Sequence, residues 1–363
     1  MKIANDQQGM AFALEWAAKG LFITAPNPRV GCVVVRDGVV LGAGHTQAVG
    51  HAHAEIQALA DAQHRGNTVR GATLYVTLEP CSHHGRTPPC ADALIHAGVA
   101  RVVSAISDPN PLVAGAGLER LRTAGIEVVT DVMRDAALEM NIGFFSRMQT
   151  GKPWVRMKAA ASLDGKTALH NGASQWITSA PAREDGHAWR ARACAILTGI
   201  GTVKADDPQL TVRAVATPRQ PQRIVIDSRL EIDLSARILQ GAPVWIVCAR
   251  ADPARQAELE SLGHEVICLP NAAGKVDLPQ LMLELGRRQI NEVHVEAGFK
   301  LNGSLLREGC IDELLLYLAP SLIGDAAGLF DLPALTSLSG KTELVFHDVK
   351  QIGPDLRILA RLT

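Results

Sequence analysis

The sequence has no run of the roughly 18 consecutive apolar residues that a membrane-spanning helix needs, so no membrane partner is expected. It has almost no net charge: 36 Lys and Arg against 37 Asp and Glu leave −1 with neutral histidines. The chain-wide basic bias that marks nucleic-acid binders is missing, and no nucleic-acid partner is expected. Aromatic residues are scarce, at 4% of a chain that is 47% hydrophobic. The core must therefore be aliphatic, as in layered α/β folds where buried parallel strands read as Val, Ile and Leu runs. Cysteines are few and odd in number, seven in 363 residues. This argues against a disulfide scaffold and for reduced thiols in a cytoplasmic protein. The first twenty residues lack the apolar centre of a signal peptide; Met10, Ala13, Leu14 and Ala17 instead recur at helical spacing.

What is present alternates between strand and helix patterns. Two Val-rich runs flank Asp37-Gly38, a hairpin signal. A helix is expected over about Ala54 to His64, with Ile56, Leu59 and Ala60 on one face. ATLYVTLEP and ARVVSAISDP read as strands, ADALIHAG as a helix closed by Gly98, and GLERLRTAG with IEVVTDV as a helix–strand pair. Beyond MQTGKP, strands are expected in PWVRMKAAAS, CAILTGI, QRIVIDS, PVWIVCA, HEVICLP, NEVHVEAG and ELLLYLAP. The expected organisation is two α/β domains, residues 1–147 and 152–363, the first of three layers.

GHAHAEIQAL carries His51, His53 and Glu55 at alternate positions, and EPCSHHGRTPPC adds Cys81 and Cys90. Cys81 ends a strand. Cys90 opens a helix, with Pro88 and Pro89 placed where the first turn tolerates proline and the helix dipole favouring a thiolate. One imidazole and two thiolates leave the fourth tetrahedral position of a zinc ion open, as catalytic zinc sites do. Zinc deaminases carry H-x-E followed by P-C-x-x-C, with the Glu moving protons and not ligating. His53, Cys81 and Cys90 are the expected ligands of one Zn²⁺ per chain, with Glu55 as the proton carrier. His51 is the competing ligand, and a structural zinc site or scattered core cysteines the competing account of the set. The second half lacks G-x-G-x-x-G. Gly199-Ile200-Gly201 follows a strand, however, and VEAGFKLNGSLL has Gly298 and Gly303 with Ser304 opening a helix, whose N-terminus suits a pyrophosphate.

The two cysteines are separated by SHHGRTPP rather than by two residues. With NPRVGCVVV, HAEIQAL and SDPNP, this loop resembles the deaminase half of the bifunctional riboflavin-biosynthesis deaminase–reductase family. KAAASLDGKTA, SQWITS, the block from Leu197 to Arg213, IVIDS and VEAG resemble its reductase half, so the resemblance spans nearly the whole chain. It implies a cytidine-deaminase-like three-layer domain followed by a dihydrofolate-reductase-like α/β domain that uses NADPH. It implies deaminase-substrate roles for Asn27, His45, His83, Arg86, Asp108 and Asn110. By the same likeness, NADPH meets Ala160, Trp176, Thr202, Asp206, Ser228 and the segment Gly298, Phe299, Lys300, Leu301, Asn302, Gly303 and Ser304. The reductase substrate meets Ser174, Arg190, Leu210, Arg213 and Glu296, the two arginines being suited to a phosphate. Lys158 and Glu296 are candidates for proton movement as a ribose ring opens and is reduced; as the blander account, Lys158 is a strand-end surface lysine and Glu296 a salt-bridging carboxylate.

The expected activity is deamination of 2,5-diamino-6-(5-phosphoribosylamino)pyrimidin-4(3H)-one, then NADPH-dependent reduction of 5-amino-6-(5-phosphoribosylamino)uracil to its ribityl product. The expected partners are these small phosphorylated pyrimidines and further copies of the same chain, in a dimer or larger homo-oligomer. Two other readings compete. A tRNA or nucleoside deaminase with an accessory nucleotide-binding domain needs a basic, aromatic surface around the zinc. A zinc-stabilised regulator has no use for Glu55.

Overall fold

Strand β1 (Gly31–Arg36) and strand β2 (Val39–His45) form the expected hairpin. Asp37 and Gly38 both take positive φ, 52° and 75°, as a two-residue turn between right-twisted strands requires. Strands β3 (Thr73–Val76), β4 (Arg101–Ser104) and β5 (Glu127–Val129) complete a five-stranded sheet in the order β2-β1-β3-β4-β5. β1 is antiparallel to β2 and β3, whereas β3, β4 and β5 are mutually parallel. Helices α1 (Asp6–Ala18), α2 (Ala54–His64), α3 (Cys90–Ala97), α4 (Ala116–Thr123), α5 (Arg134–Met140) and α6 (Ile142–Thr150) accompany it. The computed structural model describes residues 2–82, 89–110 and 114–363. It falls into two compact units divided between Thr150 and Gly151.

Helix α2 has the expected bounds but buries a different face. Ala54, Glu55, Ala58 and Ala62 point inward, while Ile56 and Leu59 are half-buried and Ala60 is exposed. The cause lies on β2. A Cβ on Gly42 would come within 2.4 Å of the Ala58 carbonyl oxygen, and one on Gly44 within 2.6 Å of the Ala58 nitrogen. The helix backbone rides directly on glycine, and only alanine fits between helix and sheet. This close approach sets where His53, the residue capping α2, stands relative to the sheet.

The second unit contains a nine-stranded sheet in the order β11-β10-β9-β8-β12-β6-β13-β16-β15. Its strands are β6 (Trp154–Ser162), β8 (Ala195–Gly199), β9 (Gln222–Ile226), β10 (Val244–Cys248), β11 (Glu265–Cys268), β12 (Glu292–Val295), β13 (Glu313–Ala319), β15 (Leu344–Ile352) and β16 (Asp355–Leu362). A small ladder pairs β7 (Lys166–Ala168) with β14 (Ala327–Gly328). Helices α7 (Ala180–Arg192), α8 (Ile200–Asp206), α9 (Pro253–Ser261), α10 (Leu278–Arg287) and α11 (Phe299–Arg307) connect the parallel strands. All seven strands expected from the sequence are present. The C-terminal hairpin β15–β16, whose β16 runs antiparallel to β13, is an addition: β15 is mostly exposed, so the apolar run that betrays a buried strand is missing. Among the described residues no helix is long and apolar enough to cross a membrane.

Chain order in this sheet steps outward from β8 to β11 and then returns to place β12 between β8 and β6. Ligands of open parallel sheets settle outside the carboxyl ends of the strands at such a reversal. Here the reversal lies between β8 and β12. At the opposite end of the sheet, Arg156 is fully buried between Glu313 and Glu292 (Nε to Oε2 2.5 Å, Nη1 to Oε2 3.2 Å), with Arg361 and Arg192 completing the set. That network pairs buried charge at the strand starts, and Arg156 faces His294 across the β6–β12 register.

Candidate active sites

In the first unit, strand register gathers the candidate residues at one end of the sheet. Gly31 pairs with His45, and Cys32 with Val76. The N-terminal end of β1, the end of β2 and the carboxyl ends of β3 and β4 therefore coincide. Asn27 precedes β1 there, His45 closes β2, and Asp108 and Asn110 follow β4; Cys81 does not end a strand as expected but lies beyond Val76, the last residue of β3. His53 enters α2 from the same end. His45 directs Nδ1 at the Thr46 carbonyl oxygen, 3.0 Å away, and its ring lies 6.2 Å from that of Trp16. Asp108 accepts the Asn110 N–H at 2.8 Å. His83 and Arg86 lie outside the described residues.

His53, Cys81 and Cys90 form the group able to hold an ion among the described residues, their donor atoms all within 4.8 Å of one another. His53 Nδ1 stands 3.7 Å from Cys81 Sγ and 3.4 Å from Cys90 Sγ. Tetrahedral zinc with Zn–S near 2.3 Å and Zn–N near 2.0–2.1 Å puts N and S roughly 3.6 Å apart, so the trio fits that ion. His51 is exposed in the preceding turn and stays outside the group. Pro89 is the N-cap of α3 and does not sit in its first turn; the helix begins at Cys90 itself, whose N–H donates to Cys81 Sγ at 3.3 Å. Pro88 lies outside the described residues. Hydrogen bonding from Cys90, then from His53, holds the Cys81 thiol down at about 4. Its thiolate and burial push Cys90 up; a bound cation deprotonates both sulfurs.

Glu55 is buried one turn into the site. Burial, then the neighbouring Cys81 thiolate, push its carboxyl up to about 7. A cation in the trio acts in the opposite sense. Glu55 lies on the buried face of α2 with Ala54, Ala58 and Ala62.

In the second unit, β6, β8 and β12 bring a charged cluster to the topological reversal. Glu296 N donates to the Leu197 carbonyl oxygen at 2.9 Å, joining the ends of β12 and β8. Its carboxylate accepts from Arg190 Nε and, at 2.8 Å, from Nη2. His294 Nε2 is 3.3 Å from Glu296 Oε1. Burial opposes ionisation of Glu296, but Arg190, with His294 and Lys158, holds it well below the usual carboxylate range. Lys158 lies in the middle of β6 and is half-buried, which corrects the reading of a strand-end surface lysine. Burial lowers its pKa, Glu296 opposes that and Arg190 adds to it.

His187 and His294 were not legible as site residues. His187 sits on α7, one turn before Arg190, and its Nδ1 accepts the Arg213 N–H at 3.2 Å. Burial, then Arg190 and Arg213, push the ring down to about 4. The folded state disfavours the charged ring, so stability from this group is complete above the unfolded value near 6.5. It declines as pH falls from there toward about 4. An NMR titration of the ring should show no midpoint near 6.5; a midpoint there would show that the ring does not face the arginines. Arg213 itself is exposed, with Nη1 bonded to Thr211 Oγ1 at 2.8 Å.

The expected cofactor segment forms the N-cap and first turns of helix α11. Helix α11 begins at Phe299 with Gly298 as its N-cap, so Ser304 sits inside the helix and does not open it. Gly298 N donates to Thr202 Oγ1 at 3.1 Å, linking the two glycine-bearing turns. No side chain caps α11, which leaves first-turn N–H groups for an anionic group such as a pyrophosphate; the arrangement fits a dinucleotide. Gly303 serves packing: a Cβ there would meet the Asp331 carbonyl oxygen at 2.2 Å. Asn302 is buried and donates to the Leu329 carbonyl oxygen. Phe299, Lys300 and Leu301 occupy the first turn. Ala160 lies on β6, Asp206 at the end of α8, and Ser228 just past β9, where its carbonyl oxygen accepts from Ala249 and Arg250. Trp176 is exposed beneath the Arg183 guanidinium, 4.3 Å from the ring centroid. Ser174 is half-buried, and Leu210 is buried with φ 50°.

Comparison with known proteins agrees with this two-site description. The family profile of the RibD C-terminal domain matches residues 153–358. That of the cytidine and deoxycytidylate deaminase zinc-binding region matches residues 3–106. The chain is 48% identical to the riboflavin biosynthesis protein RibD of Escherichia coli K12, over 97% of this chain and 98% of that one. It is 44% identical to the RibD of Haemophilus influenzae, over 98% and 97%. A solved structure of Acinetobacter baumannii RibD superposes with a TM-score of 0.90 at 42% identity, covering 99% of both chains. A Thermotoga maritima protein described as a diaminohydroxyphosphoribosylaminopyrimidine deaminase and 5-amino-6-(5-phosphoribosylamino)uracil reductase gives 0.88 at 32% identity, again over 99% of both.

Proposed function

Since the chain belongs to the bifunctional riboflavin-biosynthesis deaminase–reductase family, we propose a division of labour among its own residues. It is a zinc-dependent deaminase and an NADPH-dependent reductase in one polypeptide. Its substrates are proposed to be 2,5-diamino-6-(5-phosphoribosylamino)pyrimidin-4(3H)-one and then 5-amino-6-(5-phosphoribosylamino)uracil. The observation that carries the first half is the His53, Cys81 and Cys90 cluster with a buried carboxyl beside it. When bound, zinc supplies a Lewis acid that activates water, and NADPH supplies a hydride.

His53 Nδ1 and the two sulfurs hold the ion. Glu55 takes a proton at its carboxylate and returns it to the departing ammonia; its burial keeps that proton from bulk water. Asn27, His45, Asp108 and Asn110 surround the same end of the sheet and orient the pyrimidine, together with His83 and Arg86. In the reductase half, Arg190 and Arg213 hold the phosphate, with Ser174 and Leu210 beside them. Lys158 and Glu296 hold and move the protons of ring opening. Thr202 and the first turn of α11 receive the cofactor's phosphates, and Ala160, Trp176, Asp206 and Ser228 complete its bed.

Purified protein should contain one zinc per chain. Cys90→Ala should lose the metal and ammonia release while retaining NADPH oxidation on the deaminated substrate. A metal-free chain with full deaminase activity would overturn the assignment.

The same reading places the enzyme in the cytoplasm, in keeping with seven free thiols, and without a nucleic-acid partner, in keeping with its net charge of −1. It is proposed to be a homo-oligomer. Strand β15 is a sheet edge that exposes Val345, Phe346 and Val349, an apolar edge of the kind soluble proteins normally cover. Light scattering should return a multiple of 38.7 kDa; a monomer at micromolar concentration would contradict this.

A further inference from the structure

One buried carboxylate near the zinc ligands belongs to neither proton transfer nor metal binding. Glu79 is 3% exposed and lies two residues before Cys81. Its own N–H donates to the Ile106 carbonyl oxygen at 2.9 Å, which locks it beside the end of β4. Its carboxylate collects four backbone N–H groups. Oε2 accepts from Asp108 at 3.1 Å and Gly115 at 2.9 Å; Oε1 accepts from Gly117 at 2.9 Å and, weakly, from Leu118 at 3.5 Å.

These partners stand at both ends of the segment that follows β4. Asp108 is at its start, and Gly115, Gly117 and Leu118 form the N-terminus of α4, whose own N-cap Gly115 offers no side chain. A carboxylate from the segment that follows β3 thus supplies the cap that the local sequence lacks. The grip is short-range. A Cβ on Gly117 would sit 1.9 Å from the Pro80 carbonyl oxygen, so α4 rests on the backbone that leads into Cys81. Asp108 in turn accepts the Asn110 N–H, and the Asn110 carbonyl oxygen accepts from Ala114 at 3.0 Å.

We propose that Glu79 is the positioning residue of the deaminase site, fixing Asp108 and Asn110 at a set distance from the zinc-bearing segment. The proposal rests on the reading above that Asp108 and Asn110 contact the pyrimidine. A carboxylate suits the task because its two oxygens have acceptor capacity for all four donors. A Gln in its place presents an N–H₂ group to backbone N–H groups, leaving at least one pair facing donor to donor. A neutral cap of α4 alone would not reach back to Asp108.

The test is a double-mutant cycle in the full-length enzyme. Glu79→Gln should keep one zinc per chain and unaltered reductase kinetics, and raise the deaminase KM roughly tenfold, the loss of about one charge-assisted hydrogen bond, with a much smaller change in kcat. Hydrogen exchange should quicken at the amides of Asp108, Gly115 and Gly117. Asn110→Ala should raise KM by itself, and adding Glu79→Gln to it should raise KM little further, since the two act through one contact. Fully additive effects, loss of zinc with Glu79→Gln, or a fall in kcat at constant KM each overturn the proposal. If Asn110→Ala and Asp108→Asn both leave KM unchanged, the substrate role of this segment fails, and the positioning role fails with it. That failure is distinguishable because it shows in variants that keep Glu79. Should Glu79→Gln not fold, Glu79→Asp, too short to reach both ends, carries the same cycle.

Discussion

Glu55→Gln should reduce ammonia release by about 10²–10⁴-fold, the range that a positioned acid–base group contributes, with zinc content and the reductase reaction intact. The variant preserves shape and removes only the ability to carry a proton. Gln matches Glu in size, so the buried face of α2 has no added bulk to accommodate. The trio of His53, Cys81 and Cys90 keeps its mutual distances, because these are set by the start of α2, the segment that follows β3 and the start of α3. Two assays decide the outcome: ammonia release from the diaminopyrimidine, and loss of nicotinamide absorbance with the deaminated substrate. Substantial residual ammonia release in the zinc-loaded variant would remove Glu55 from its role. Loss of both activities in a folded protein would contradict two independent sites.

Glu296→Gln should have the complementary effect, lowering kcat/KM of the reduction roughly 10²-fold while deamination proceeds. Glu296 and Arg190 share two hydrogen bonds in a largely buried setting. Removing one partner of such a pair costs about 3–5 kcal/mol because the remaining charge is left uncompensated. Part of that cost returns as displacement of Arg190, so the phosphate contact weakens and KM rises. Part falls on Lys158, whose pKa is already lowered by burial and which Glu296 alone draws upward. Without that carboxylate Lys158 should titrate lower still and supply protons less readily at a given pH. A pH profile of kcat should therefore lose its higher limb at a lower pH than in the parent enzyme. An unchanged reductase profile would return Glu296 to a purely structural salt bridge.

Local features of the fold were legible because they are written in short spans. Asp37-Gly38 specifies a tight hairpin through two residues that tolerate positive φ. The aliphatic runs from Trp154 onward specify buried parallel strands, and Gly98 closes α3 in the left-handed region. Three features escaped for identifiable reasons. The buried face of α2 was misassigned because periodicity favours large apolar residues, whereas Gly42 and Gly44 across the interface admit only alanine. The start of α11 was placed at Ser304, whereas Gly303 lies inside the helix and lets the chain at Asp331 come close, a contact no local pattern shows. The β15–β16 hairpin was missed because an exposed edge strand does not need the apolar alternation that flags a half-buried one, although Gly353-Pro354 marks its turn.

For the sites, the sequence by itself determined the donor chemistry: one imidazole, two thiols and a carboxyl in H-x-E spacing, and a set of arginines suited to phosphate. These follow from residue type and near-neighbour spacing, which survive without any knowledge of packing. Only the tertiary structure decided which groups meet. His53 lies 28 residues from Cys81 and 37 from Cys90; the pairing of β1 with β2 and β3, together with glycine-limited packing of α2, brings them within bonding range of one ion. Glu79 and His187 became functional candidates only in three dimensions, because each acts on backbone N–H groups far along the chain, at Asp108, Gly115 and Gly117, and at Arg213. A backbone amide carries no signature of its distant acceptor in the sequence, so such roles emerge only when strand register and helix packing fix the distance.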